Sequence, residues 1–292
     1  MPACPQMPVP NSQHHTQFVK ALKGNLSPKL LMSLNMCFIP SQNISGKWMR
    51  VETHNLGKRP SINQVSSSEG ALRVDDPRLA LTYHEFPLHS MDDLLHLAIE
   101  EYRLKHGKIP EVIVDLGSGC GRLVIYAALN CYYCDEVNDE KERQRWSQVH
   151  GIEISSELHD YALEVVSRGI DEGYFDDHNG PSASVSTGAS TSSTTVHFHQ
   201  GPANSFTHIL GKADIIFCYS TVFGTEGFNV DMKAMILDDE WSLMLADACK
   251  KGTGIVTTDR ALNPKHGWSL KQVLDVDNPS LFGSTGYVSF LD

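Results

Sequence analysis

The sequence lacks a hydrophobic run long enough to cross a membrane. No apolar stretch in its 292 residues approaches the roughly 18 residues that a spanning helix needs. The N-terminus also lacks the cationic region and apolar core that mark a secretory signal. We therefore expect a protein that is not secreted and has no membrane partner. The cytoplasm or the nucleus is its expected location, and import into an organelle stays open.

Cysteines are few, and their spacing excludes a disulfide framework. Seven are dispersed along the chain, an odd number that suits a reducing compartment. Cys131 and Cys134 form the single close pair, and no second cysteine pair or histidine pair at zinc-ligand spacing accompanies them. The sequence therefore predicts no bound metal.

Acidic residues are almost missing from the N-terminal segment. Residues 1–60 contain seven Lys/Arg and the single acid Glu52, a net charge of +6, so the rest of the chain carries −17 of the total of −11. Such a basic arm can contact nucleic acid or an acidic protein face, direct organelle import, or remain a solvated tail. These alternatives stay open.

Residues 112–129, VIVDLGSGCGRLVIYAAL, combine an apolar strand with a glycine-rich turn and a helix. The strand ends at Asp115, and Gly117, Gly119 and Gly121 follow at alternate positions. Glycine has no Cβ, so such a turn can adopt unusual dihedral angles and let a nucleotide approach the backbone. A dinucleotide fingerprint would place its third glycine at Arg122, so the spacing disfavours NAD or FAD.

A second strand, residues 148–154 (QVHGIEI), brings Glu153 to its carboxyl end. A carboxylate at this position can accept both ribose hydroxyls of an adenosine. The separation from the glycines exceeds that of a compact βαβ unit because residues 131–147 form a polar insertion. An ordinary solvated carboxylate is the alternative for Glu153.

The pattern Asp-x-Gly-x-Gly-x-Gly after a strand resembles the first motif of class I S-adenosylmethionine (SAM) methyltransferases. In that family the loop wraps the amino-acid end of the cofactor. The resemblance implies SAM as the cofactor, with Glu153 at the ribose. The implied loop contacts are Asp115, Gly117, Ser118, Gly119 and Gly121.

Alternating strands and helices predict an α/β fold with a parallel sheet that closes on an antiparallel pair. The resemblance makes this a Rossmann-like seven-stranded class I methyltransferase sheet with a basic N-terminal extension. We divide the chain into a basic arm (1–45), a layer over the cofactor site (46–88) and a methyltransferase domain (89–292) with insertions at 131–147 and 176–195. The predicted helices are 90–107 with Ser90 as its cap, 122–130, 156–173, 228–236 and 239–251. The predicted strands are 111–115, 148–154, 196–199, 214–219, 254–258, 268–276 and 286–291.

Residues 80–260 resemble the DOT-one-like (disruptor of telomeric silencing) histone-lysine methyltransferases, through Thr82-Tyr83-His84-Glu85 and the segment 214–259. The resemblance implies that Tyr83 and Glu85 face the methionine end of SAM, with Glu85 at its ammonium group. Tyr219 and Ser220 stand where the family has an Asn pair at the mouth of a lysine channel, and Phe223 matches a wall aromatic.

The sequence therefore predicts a SAM-dependent methyltransferase that acts on a protein lysine, with histone methylation as the function implied by the resemblance. A nucleosome or nucleic acid is a candidate partner through the basic arm. The motif around Asp115 is also similar to small mitochondrial and archaeal lysine methyltransferases. A small molecule or a non-histone protein remains an alternative acceptor, and a catalytically silent SAM-binding interaction protein is a third alternative. Packing in the core is an equal alternative for Phe223.

Overall fold

A computed structural model describes residues 86–129, 132–133, 143–144, 146–171, 176–177, 182–185, 194–220, 223–278 and 283–292. The predicted basic arm and nearly all of the predicted layer over the cofactor site lie outside these residues. So do the predicted cofactor contacts Tyr83 and Glu85 and the pair Cys131 and Cys134.

Each described helix is followed by one or three strands along the chain. The helices are α1 Leu88–His106, α2 Arg122–Leu129, α3 Ser156–Asp171, α4 Thr207–Leu210 and α5 Asp239–Ala248, with 3-10 turns at Ala203–Phe206 and Pro264–His266. The strands are β1 Val112–Leu116, β2 Tyr132–Tyr133, β3 Arg143–Gln144, β4 Gln148–Glu153, β5 Asp176–Asp177, β6 Ser182–Val185, β7 Thr194–Gln200, β8 Ile215–Cys218, β9 Thr225–Asn229, β10 Ala234–Leu237, β11 Gly254–Thr258, β12 Trp268–Val276 and β13 Ser284–Leu291.

Nine strands form one sheet in the order β12-β13-β11-β8-β1-β4-β7-β6-β5. The five central strands β11, β8, β1, β4 and β7 are parallel to one another, whereas β13 is antiparallel to both β11 and β12. The first seven strands in this order, from β12 to β7, confirm the predicted Rossmann-like seven-stranded class I methyltransferase sheet with its closing antiparallel pair.

Helices cover both faces of this sheet. Helices α1, α2 and α3 bury apolar side chains such as Leu95, Val124 and Val165 against one face. Helices α4 and α5 bury Leu210 and Leu245 against the other. The parallel strands between them are apolar on both sides, as expected for a sheet covered on both faces.

The start of α1 corrects one prediction. Ser90 is not the cap, because the helix begins at Leu88 with Pro87 at the N-cap position. Phe86 and Leu88 are buried in the same core, so apolar packing extends the helix toward the N-terminus, across the predicted boundary at 88/89. The Ser90 hydroxyl instead donates a hydrogen bond to the Asp277 carbonyl oxygen (2.5 Å).

The predicted helix 228–236 is wrong, because this segment forms the hairpin β9–β10. Within the segment, Lys233 has a φ of 52°, which a right-handed helix does not allow. In β10, Ala234 and Ile236 are buried while Met235 is exposed, which is the alternation of a strand with one covered face.

The two predicted insertions are only partly loops. Strand β6 pairs antiparallel with β7, and β5 pairs with β6, so part of 176–195 extends the edge of the sheet. At the end of the other insertion, Trp146 is 2% exposed and belongs to the core. Thr194 Oγ1 donates a hydrogen bond to the Trp146 carbonyl oxygen (2.7 Å).

Across the described ranges, no helix combines the length and apolar character that crossing a membrane requires.

Candidate functional site

The glycine-rich loop lies between β1 and α2, at the carboxyl edge of the sheet. Gly117, Gly119 and Gly121 all have left-handed φ values, of 75°, 55° and 79°. The backbone N–H groups of Gly117 and Ser118 donate hydrogen bonds to the Ile152 carbonyl oxygen (2.9 and 3.1 Å), which ties the loop to the end of β4. The structure thus brings the predicted glycines together in a conformation that favours glycine at each position.

Close packing adds a second requirement for glycine at the end of this loop. A Cβ at Gly121 would lie 2.6 Å from the ring of Phe198 on β7. A Cβ at Gly151 on β4 would lie 2.8 Å from Ser118 Oγ. The loop therefore lies directly against β4 and β7, which fixes its position relative to the end of β4.

Glu153, at the end of β4, is buried (6% exposed) and faces the glycine loop. Its Oε2 accepts a hydrogen bond from the Gly119 N–H (2.8 Å), and its Oε1 accepts one from the Ser155 N–H (2.8 Å). Each carboxylate oxygen retains a second lone-pair direction that a hydroxyl can use. Glu153 can thus still accept the ribose hydroxyls, and this contact stays a prediction. The structure adds a second role, because the hydrogen bond from the Gly119 N–H holds the glycine loop in place.

Asp115, at the end of β1, is 3% exposed, and its Oδ2 has no hydrogen-bond partner among the described residues. Burial raises the pKa of this carboxyl to about 8, with the negative charge of Glu153 as the second cause. A buried acceptor without a donor is unfavourable. A ligand that brings an N–H donor and positive charge would relieve both effects.

The buried Ser118 hydroxyl likewise has no hydrogen-bond partner among the described residues. One neighbouring residue was missed by the sequence reasoning. Ile154 follows Glu153 directly, and its apolar side chain is 55% exposed. An exposed apolar side chain beside a carboxylate suits a flat heteroaromatic base attached to a sugar.

Tyr219 follows β8 and packs on the α1 side of the sheet. Its ring centroid lies 5.0 Å from that of Phe86, which is itself 5.6 Å from the ring of Phe217. The Tyr219 hydroxyl accepts a hydrogen bond from Asn278 Nδ2 (3.0 Å). The predicted channel residue thus lies between aromatic side chains and a polar network.

Ser220 and Phe223 are engaged in packing contacts. The fully buried Ser220 hydroxyl donates to the Thr258 carbonyl oxygen (2.7 Å) and accepts from the Thr258 N–H (3.1 Å), which links the ends of β8 and β11. The Phe223 ring stacks on Trp241 of α5 at 4.6 Å and 11°. Phe223 therefore packs on the face opposite to Tyr219. The structure does not bring the two together as walls of one channel, and their catalytic roles stay predictions.

Three polar residues near Tyr219 were not identified from the sequence. Asn278 donates to the Ser284 hydroxyl (2.8 Å), and Ser284 donates to Asp259 Oδ2 (3.1 Å). Asp259 has a left-handed φ of 59°, an unusual value for a non-glycine residue at the end of a strand. The sequence marked Asn278 only as part of a turn, because no local pattern reveals contacts between distant segments.

Three histidines line the α4 side of β4 and β7. His150 Nδ1 and His199 Nε2 are 3.1 Å apart, and the ring of His150 stacks at 4.8 Å on that of His197. Burial lowers the pKa of His150 to about 3 and that of His199 to about 4, with the neighbouring histidines as further causes. In the part of the chain that the structure describes, no group of three His, Cys, Asp or Glu side chains could hold a metal ion.

No protein-family model and no curated protein matches this chain. Solved structures do resemble it in fold. A candidate RNA methyltransferase from Pyrococcus horikoshii has 15% identity and a TM-score of 0.41, over 75% of this chain and 89% of that chain.

Two further structures contain the cofactor or its product. Trm1 from Pyrococcus horikoshii, with S-adenosyl-L-methionine, has 12% identity and a TM-score of 0.41, over 72% of this chain and 56% of that chain. Magnesium protoporphyrin IX methyltransferase from Synechocystis PCC 6803, with S-adenosylhomocysteine, has 12% identity and a TM-score of 0.38, over 74% of this chain and 91% of that chain. Likenesses this remote do not decide function, which has to be inferred from the site itself.

Proposed function

We propose that this chain is an S-adenosylmethionine-dependent methyltransferase. One observation carries the proposal: a loop with three left-handed glycines lies beside two buried carboxyl groups, those of Asp115 and Glu153, at the carboxyl edge of a Rossmann-like sheet. This edge is where open α/β sheets bind their ligands. No feature of the loop is specific for a pyrophosphate, because the third glycine of a dinucleotide fingerprint is replaced by Arg122.

The described residues fit the parts of this cofactor. The unpartnered Asp115 oxygen suits the cationic amino-acid end, and Glu153 retains lone pairs for the ribose hydroxyls. Ile154 offers an apolar surface for the adenine. When bound, SAM supplies a methyl group on a positively charged sulfur. The protein then has to align an uncharged nucleophile and exclude water.

We further propose a protein lysine as the acceptor, as the resemblance of residues 80–260 to DOT-one-like enzymes implies. A lysine amine with an ordinary pKa of about 10.4 must be uncharged to act as a nucleophile. Apolar surroundings favour the uncharged form, and the aromatic pair Phe86 and Tyr219 provides such surroundings beside the end of β8. A small molecule or a non-histone protein remains the alternative acceptor.

One observation favours the alternative of a catalytically silent SAM-binding protein. Ser220 and Phe223, predicted at the lysine channel, are both engaged in structural contacts. A labelling experiment separates a methyltransferase from a silent SAM-binding protein.

The test is to incubate the purified protein with methyl-labelled SAM and a desalted cell extract. Protease and ribonuclease treatments then identify the class of the labelled product, and hydrolysis identifies the labelled amino acid. We expect protease-sensitive label on lysine. SAM binding without any labelled product would support the silent module, and ribonuclease-sensitive label would contradict the protein acceptor.

A further inference from the structure

Asn278, which follows β12, is fully buried but only half-satisfied in its hydrogen bonding. Its Nδ2 donates to the Tyr219 hydroxyl (3.0 Å) and to the Ser284 hydroxyl (2.8 Å). Its Oδ1 has no hydrogen-bond partner among the described residues. Most buried side-chain acceptors have a donor, so this oxygen needs an explanation.

The orientation of the amide group follows from the same network. The Ser284 hydroxyl has one proton, which it donates to Asp259 Oδ2 (3.1 Å), and a carboxylate can only accept. Ser284 must therefore accept a hydrogen bond from Asn278, which places the amide nitrogen toward Ser284. The atom without a partner is consequently the amide oxygen and not the amide nitrogen.

The network also fixes the position of Asn278 in the fold. Its direct partner Tyr219 follows β8, and its other partner Ser284 begins β13 and donates to Asp259, which follows β11. The network thus joins Asn278 to the carboxyl ends of two adjacent parallel strands, β8 and β11. Asp259 Oδ1 accepts from the Thr285 N–H (2.9 Å), and the Asn278 carbonyl oxygen accepts from the Gly283 N–H (3.0 Å). Backbone and side-chain contacts thus hold the amide oxygen at the same sheet edge as the glycine loop.

Building on the proposed function, we propose that Asn278 orients the methyl acceptor through this oxygen, and that the acceptor atom is a nitrogen that carries hydrogen. An uncharged amine can donate one N–H to the amide oxygen and keep its lone pair for attack. A hydroxyl would donate its single proton, which an amide oxygen is too weak a base to remove. A carboxylate or thiolate acceptor has no proton to donate and would be repelled.

The transfer balances without a further reactant. The nitrogen lone pair forms the new bond to the methyl carbon, the sulfur–carbon bond breaks, and its electron pair stays on sulfur, which becomes neutral. The nitrogen gains the positive charge and then releases one proton to solvent. Asn278 holds the N–H and accepts no proton in this sequence.

The test compares the wild type with Asn278→Ala, Asn278→Asp and the matched control Asn263→Ala. Asn263 is also a buried amide, but its Nδ2 donates to Glu226 (2.6 Å) and Asp239 (3.3 Å) at the base of the hairpin β9–β10. The measurements are the transfer rate to a cell extract with labelled SAM, the SAM dissociation constant and the melting temperature without cofactor.

We expect Asn278→Ala to lower the transfer rate at least about tenfold, the effect of one lost hydrogen bond to the reacting group. Its SAM affinity should be unchanged and its melting temperature within about 2 °C of the wild type, because the substitution also removes an unsatisfied oxygen. Asn278→Asp keeps an acceptor oxygen and should retain more activity. Asn263→Ala should lower the melting temperature and leave the rate unchanged.

Three results would overturn the inference. One is an Asn278→Ala protein as active as the wild type. Another is an Asn278→Ala protein whose transfer rate falls only in proportion to its melting temperature, as expected if Asn278 has a purely structural role. The third is a label that mild alkali releases as methanol, which would identify a carboxylate acceptor. A wild-type protein that does not bind SAM, or binds it without labelling anything, would instead overturn the proposed methyltransferase function.

Discussion

Replacing Asp115 with Asn should stabilise the protein without cofactor and weaken cofactor binding. The Asp115 carboxyl is 3% exposed, and burial together with the charge of Glu153 raises its pKa from 3.8 to about 8. The folded protein therefore keeps a proton on Asp115 at neutral pH that the unfolded chain releases. An amide of the same shape has no ionisation to suppress.

The sign and size follow from proton linkage. Between pH 4 and 8 the folded state binds one more proton at this residue than the unfolded state, so the free energy of unfolding decreases as pH rises through this window. The slope is about 1.4 kcal/mol per pH unit for one proton, or about 2.7 kcal/mol between pH 5 and pH 7. The Asn variant lacks this slope.

Urea unfolding at several pH values measures the effect. The difference in unfolding free energy between the variant and the wild type cancels every titration that the two proteins share. It should grow by about 2–3 kcal/mol in favour of Asp115→Asn between pH 5 and pH 7 and level off above pH 8. A difference that does not depend on pH would refute the assignment of a protonated, buried Asp115.

Further variants test the surroundings of this site. Gly121→Ala should cost about 3 kcal/mol in urea unfolding, because its Cβ combines a left-handed φ with a contact 2.6 Å from Phe198; a double variant with Phe198→Leu should recover part of the loss, and no recovery would argue against the clash. Glu153→Gln should weaken SAM binding in calorimetry and destabilise the protein without SAM by about 1.5–3 kcal/mol, because the amide can accept only one of the two hydrogen bonds that the carboxylate accepts, from the Gly119 and Ser155 N–H groups. Unchanged affinity would leave Glu153 with a structural role only. The pKa of His150 is lowered in the folded protein, so the free energy of unfolding decreases as pH falls from about 6.5 toward 3. His150→Gln should make the free energy of unfolding less dependent on pH in this range. A dependence as steep as that of the wild type would count against the histidine cluster.

Local sequence patterns predicted the central sheet well. The strands at 254–258 and 268–276 occur with the predicted bounds, and β1, β4 and β8 differ from prediction by one or two residues at their ends. Their apolar runs are bounded by glycine or polar residues, so the burial pattern and the local conformational preference both indicate a strand. The glycine loop was equally visible, because its function depends on residues that are adjacent in the chain.

Predictions failed where tertiary contacts decide the structure. The segment 228–236 has apolar residues at spacings that suit a helix or a strand, and its pairing with Ala261 selects the hairpin. Ser90 has the composition of a cap, yet burial of Phe86 and Leu88 moves the helix start.

The network around Asn278 shows a second limit of sequence reasoning. Asn278 is 59 residues from Tyr219 in the chain, and no periodicity links residues so far apart. Their contact exists only because β8, β11 and β13 are adjacent in the sheet. The residues at the carboxyl ends of such strands can be assigned to a site only after the strand order is known.

Calorimetric titration of two matched glycine variants with SAM tests whether the glycine loop binds the cofactor. Gly117 and Gly107 both have left-handed φ values, of 75° and 66°, and among the described residues none beyond the chain neighbours has an atom within 4 Å of a Cβ at either position. Alanine therefore imposes similar backbone strain at both, but only Gly117 lies in the proposed cofactor loop. We predict that the wild type and Gly107→Ala bind SAM equally well, that neither binds NAD, and that Gly117→Ala binds SAM at least about tenfold more weakly. Equal SAM affinity in the two alanine variants, or no binding of SAM by the wild type, would show that this loop is not a SAM site.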